Sequence, residues 1–116
     1  MSGFRTLLIA LFTALLTYTA IVIANHGPGL FQVFFGDMAT MAWPGQFNLD
    51  FMMMLMLSAL WVAWRHQFSG GGLALALLAF VGGASFLTVY LFIMSLKAQG
   101  DMRVLLLGEA RALQLT

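Results

Sequence analysis

Residues 73–96 read LALALLAFVGGASFLTVYLFIMSL and hold no Asp, Glu, Lys, Arg or His. About 20 apolar residues suffice to cross the hydrocarbon core of a bilayer as an α-helix. Two further apolar runs lie upstream, at residues 7–24 and 49–64. Across all three runs the one ionised side chain is Asp50, at the start of the second. Lipid offers backbone N–H and C=O groups no partners, so an open chain can cross it only as helix. The sequence therefore predicts an all-α integral membrane protein of one domain. Its three transmembrane helices are expected at about residues 5–25, 48–66 and 73–97.

Composition supports this class. Of the 116 residues, 62% are hydrophobic and 8% charged, against roughly a quarter charged in soluble domains. Cysteine is absent, which excludes disulfides and thiolate metal sites. A net charge of +1 without a basic cluster argues against a nucleic-acid partner. Arg5, the following apolar stretch and Val22-Ile23-Ala24 could pass for a cleavable secretory signal. The stretch is longer than a usual signal core, so it reads as a retained first span.

The connections carry more information than the spans. Between spans one and two, Pro28 suits the first position of a helix, and Pro44 is expected to stop it. Gln32, Gly36, Asp37 and Thr40 gather on one face, and phenylalanines and methionines cover the rest. This predicts a short interfacial helix at about residues 28–43, packed on the protein's own spans or on a partner. Asn48 reads as the N-cap of span two. Trp43, Trp61, Trp64 and Arg65 read as anchors at the membrane faces. Residues 69–72, SGGG, form a turn that makes spans two and three an antiparallel hairpin. Gly100-Asp101 restarts a helix, and residues 102–115 are expected as one surface helix.

Two stripes of small residues predict close helix packing. Thr13, Thr17 and Ala20 line span one, and Ala76, Ala79 and Gly83 line span three. Orientation stays open. Arg5 and Arg65 favour an N-terminus inside, but the tail, with Lys97, Arg103 and Arg111, would then lie outside.

Asp50 and Asp37 are the functional candidates. An acid deep in a span usually marks function, whereas an acid in a first helical turn merely favours the positive end of the helix dipole. Asp37 and Asp50 together could form an acid–base pair at one membrane face. His26 and His66 follow spans one and two, so they should lie at opposite faces and cannot jointly hold one haem. Met52 and Met56 have the M-x-x-x-M spacing of three-span copper importers. Here they open the span rather than close it, and methionine packing is the expectation. No metal site is assigned. Bound cofactors are left unknown, with a lipid, pigment or isoprenoid as the class such spans could touch.

Phe34-Phe35-Gly36-Asp37, then Phe47-Asn48-Leu49-Asp50-Phe51, then the span with Ser58-Ala59-Leu60 resemble a family of small uncharacterised bacterial multi-span membrane proteins. That family is sometimes grouped with membrane terpene-cyclase-like proteins. The likeness covers the middle third of the chain. It implies an inner-membrane location, a match of Asp50 to the family's helix-opening aspartate, and a cavity for a prenyl-type lipid. Known cyclases of that type have more spans, so catalysis by a monomer does not follow.

Three functions compete. The first is a non-catalytic accessory or assembly subunit packed against other membrane subunits or its own copies. The second is a small enzyme or an isoprenoid- or lipid-binding protein using Asp37 and Asp50. The third is an oligomeric minimal transporter, disfavoured because span one lacks an acid.

Overall fold

Each apolar run becomes a helix in a computed structural model that describes residues 1–114. Among these residues there are six helices and no strand: α1 (Ser2–His26), α2 (Leu30–Ala39), α3 (Trp43–Arg65), α4 (Gly70–Lys97), α5 (Met102–Leu107) and α6 (Glu109–Gln114). α1, α3 and α4 are long and apolar enough to cross a membrane.

The connection between α1 and α3 departs from expectation. Pro28 lies outside α2, which ends at Ala39. Pro44 does not stop a helix but sits in the first turn of α3, where its missing N–H would have had no helical partner. α3 thus starts five residues before Asn48, at Trp43. Asn48 is no cap; its side chain donates to the Phe34 carbonyl at 3.1 Å and ties α3 to α2. At Gly45 the two helices meet so closely that a Cβ would fall 2.8 Å from Met38 Cα. α2 therefore runs antiparallel to the start of α3 and packs on it.

α4 is not one straight rod. At Gly83 the backbone leaves helical geometry, with φ 56° and ψ −138°. A Cβ on Gly72 would press on the His66 side chain, and the Tyr90 hydroxyl lies 2.6 Å from His66 Nε2. In a straight helix Gly72 and Tyr90 would be about 27 Å apart, at ~1.5 Å per residue. One imidazole cannot bridge that distance. α4 therefore folds back at Gly83 into two arms, residues 70–82 and 84–97. Each arm is about 20 Å long, short of the ~30 Å hydrocarbon core.

The core forms where the arms meet α3. Val62, Ala79 and Tyr90 are buried there, with Trp61, Leu75, Phe86, Leu87 and Met94 packed around them. Ala76 and Ala79 are buried. Gly83 of the same stripe serves as the break instead. α1 packs antiparallel on the second arm, with Leu8 and Phe12 facing Thr88 and Phe92. Above them Arg5 donates to the Ser95 hydroxyl and carbonyl, each at 2.9 Å. Thr13, Thr17 and Ala20 are exposed within the chain.

The tail is two short helices rather than one, divided at Gly108; Leu115 of the expected helix lies outside the described residues. Because α4 returns, Lys97 lies at the same end as Gly70, Arg65 and Arg5. α5 and α6 fold over that end. All five Lys and Arg residues of the chain are gathered there; we call it the basic end. Asp37 and Asp50 lie toward the far end, with α2.

Candidate functional site

The basic end is where three helices stop. The last C=O groups of a helix lack intrahelical donors and carry the negative end of its dipole. Three arginines meet this need. Arg5 reaches the last turn of α4 through the Ser95 carbonyl. Arg65 caps α5: Nε donates to the Leu105 carbonyl at 2.6 Å and a terminal nitrogen to the Val104 carbonyl at 3.2 Å. Trp61 adds a bond from its indole N–H to the Leu106 carbonyl at 3.0 Å. Arg111 of α6 donates to the Trp64 carbonyl in the last turn of α3, and its guanidinium lies over the Trp64 ring, 4.1 Å from the centroid. The tail is thus tied to the ends of the long helices largely by charge-assisted bonds.

Arg65 is consequently buried, with 9% of its surface exposed. The sequence suggested an interface anchor with its head in water; the fold-back of α4 and the docking of α5 enclose it instead. Its second terminal nitrogen donates to the Tyr90 hydroxyl at 3.3 Å. Arginine can only donate, so the Tyr90 oxygen accepts from it, and the imidazole tautomer sets the direction of the 2.6 Å bond between that hydroxyl and His66. Burial first, then the charges of Arg65 and Lys97, hold the His66 pKa below the ordinary 6.5.

Beside this network opens a cleft of about 890 Å³. Arg65, Lys97, Asp101, Arg103 and Glu109 supply its charged groups, and Met94 and Leu113 part of its apolar wall. Asp101 is committed: it caps α5 by accepting from the Arg103 backbone N–H at 2.9 Å, and it lies 3.9 Å from the Arg103 side chain. Among the described residues, neither the Lys97 ammonium nor the Glu109 carboxylate has a hydrogen bond or an ion pair.

The residues singled out in the sequence are scattered. Asp50 is exposed and sits eight residues into α3, not at its start. Its reading as a first-turn acid at the helix dipole therefore lapses. Asp37 lies level with Gly45, roughly 7.5 Å of helix rise from Asp50. Neither carboxylate has a partner among the described residues. Trp43 is 72% exposed. Trp61 and Trp64 contact the tail. Met53, Met54 and Met56 are exposed. No group of three His, Asp or Glu with metal-site geometry occurs among the described residues.

The cleft and the arginine caps were not read from sequence. Gly82-Gly83 in the middle of an apolar run was the available signal, since it permits a chain reversal as readily as close packing. Comparison with protein-family models, curated proteins and solved structures finds no match for this chain.

Proposed function

We propose that the chain is a non-catalytic integral membrane protein, an accessory or assembly subunit that packs against other membrane subunits or a second copy. In this reading α1 and α3 cross the bilayer, while α4 enters from the basic end, turns at Gly83 and returns. The observation that carries the reading is the broken backbone at Gly83, inside an apolar hairpin whose arms end short of the far face. Non-helical backbone at membrane depth is tolerated where protein or a water-filled cavity covers it. Ser85 donates to the Gly82 carbonyl at 2.6 Å and satisfies one freed group. Val81, beside the turn, is 65% exposed, and no helix among the described residues covers it. The unpartnered Thr13, Thr17 and Ala20 face of α1 accords with the same reading.

The gathering of charge supports one orientation. All five Lys and Arg residues lie at the basic end, and cytoplasmic faces carry the excess of such residues. The N-terminus and the tail then both face the cytoplasm. This removes the conflict between Arg5 and the tail that a straight third span creates.

A photo-crosslinking residue at Val81, introduced in the native membrane, tests the subunit reading. A protein adduct at one site, a second copy included, is expected. Adducts with lipid alone, together with a monomer in native nanodiscs, would refute it. No observation favours the enzyme reading: among the described residues neither the Asp37 nor the Asp50 carboxylate has a hydrogen bond or an ion pair.

A further inference from the structure

The geometry points to the cleft at the basic end as a binding site for the headgroup of a zwitterionic membrane phospholipid that carries a primary ammonium, such as an ethanolamine phosphate ester. The site is independent of the partner surface at Gly83.

Its charges can be sorted by what they already do. Arg65 is spent on carbonyls of α5 and on Tyr90. Asp101 and Arg103 are engaged with each other and with the first turn of α5. What remains is one ammonium, Lys97 at the end of α4, and one carboxylate, Glu109 at the start of α6. They belong to different elements, face one cleft, and are not paired with each other. A ligand that uses both must present an anion to Lys97 and a cation to Glu109. A phosphate joined to a primary ammonium does so, and the ammonium N–H groups can donate charge-assisted bonds to the carboxylate. A quaternary ammonium has no N–H to donate.

Position selects a lipid over a soluble ester. The cleft lies where α3 ends and α4 both begins and ends, at the level where apolar spans give way to charge. Met94 and Leu113 supply an apolar wall for the first carbons of the tails. The volume of about 890 Å³ lies within the range of small-molecule sites, roughly 300–1,000 Å³.

The test is lipid retention by the full chain, released from nanodiscs of mixed phosphatidylethanolamine, phosphatidylglycerol and phosphatidylcholine and weighed by native mass spectrometry. The wild type is expected to retain phosphatidylethanolamine about tenfold over the other two, the ratio that one charge-assisted contact supplies. Lys97→Gln should lower retention of both phosphatidylethanolamine and phosphatidylglycerol. Glu109→Gln should lower phosphatidylethanolamine and raise phosphatidylglycerol, because it removes a repulsive carboxylate. Among the described residues neither side chain has a hydrogen bond or an ion pair, so unchanged melting temperatures should accompany these shifts and separate a lost site from a lost fold. Failure of added soluble phosphoethanolamine to displace the lipid supports the membrane lipid; displacement at equal concentration would replace it with the soluble ester as occupant. Equal retention of the three headgroups by the wild type, or preferences unmoved in Glu109→Gln, would overturn the site and leave the cleft a water-filled notch. None of these outcomes bears on crosslinking at Val81, so the two readings fail separately.

Discussion

Replacing Gly83 by alanine tests the fold-back of α4 at its root. At φ 56° and ψ −138° the residue lies outside the small left-handed region open to other amino acids. Holding an alanine there costs about 1–3 kcal/mol. A Cβ would also lie 3.1 Å from Phe51 Cζ and 3.4 Å from Leu55 Cδ2, so α3 must give way slightly. Gly36 is the control: it sits inside α2 with nothing within 4 Å of its Cβ position. Gly36→Ala should stabilise by up to ~1 kcal/mol, the helix-propensity difference. Denaturant or thermal unfolding in mild detergent measures both changes. Geometry is read separately by spin labels at Gly71→Cys and Leu96→Cys, in a chain without native cysteine. Arms packed side by side put their axes about 8–10 Å apart, so the label pair should report a short distance. A straight α4 separates these positions by about 37 Å at ~1.5 Å per residue. A long distance in the wild type refutes the fold-back outright. A Gly83→Ala protein as stable as Gly36→Ala refutes the claim that the turn demands glycine.

Three more outcomes follow from the basic end. Arg65→Gln leaves the Val104 and Leu105 carbonyls without their donor, at about 1–3 kcal/mol per buried group; limited trypsin digestion at Arg103 and Arg111 should quicken while α1 and α3 stay intact. His66 titrates below 6.5 in the fold because burial, Arg65 and Lys97 oppose its charge. The unfolded chain therefore binds the extra proton first, so the contribution of His66 is complete above about 6.5 and declines as pH falls from there toward the folded value. The protection factors of α5 amides, with the intrinsic pH dependence of exchange divided out, should fall over that window, and His66→Phe should flatten the dependence. Single cysteines at Gln99 and Gln32 should react with impermeant thiol reagent from opposite sides of the membrane, Gln99 from the cytoplasmic side; labelling of both from one side would end the proposed topology.

Much of the helical content was legible because apolar runs of this length have few alternatives. What hydropathy could not show was the path. In residues 73–96 nearly every position is apolar, so no periodicity distinguishes one continuous helix from two arms. Gly83 fitted a packing stripe as well as it fits a reversal, since glycine's small size and its left-handed freedom are separate properties that a letter does not tell apart. Pro44 raised the same ambiguity at a helix boundary, where proline is disfavoured inside a helix and favoured in its first turn. Arg65 beside two tryptophans has the composition of a membrane-face anchor. Only the docking of α5, a tertiary event, makes it a cap. Asp50 moved from helix start to helix interior simply because α3 begins earlier than its apolar run.

The gathering of cations at one end has two physical causes that act together. In the proposed topology this is the cytoplasmic side, where membrane proteins carry their excess of Lys and Arg. Independently, α3, α4 and α5 all terminate at this end, and three helix C-termini present carbonyls and negative dipole ends that favour cations. A straight α4 would send one of those C-termini, with Lys97, to the far end, leaving Arg5 without the Ser95 carbonyl it binds. Folding back at Gly83 is therefore what lets one set of arginines serve both causes. Arg5, Arg65 and Arg111 cap α4, α5 and α3, and Arg103 answers Asp101. Lys97 alone among the five has no donor committed within the described chain. Its ammonium faces a cleft shared with an equally uncommitted Glu109, which makes that pair the place where the end of the molecule is chemically unfinished.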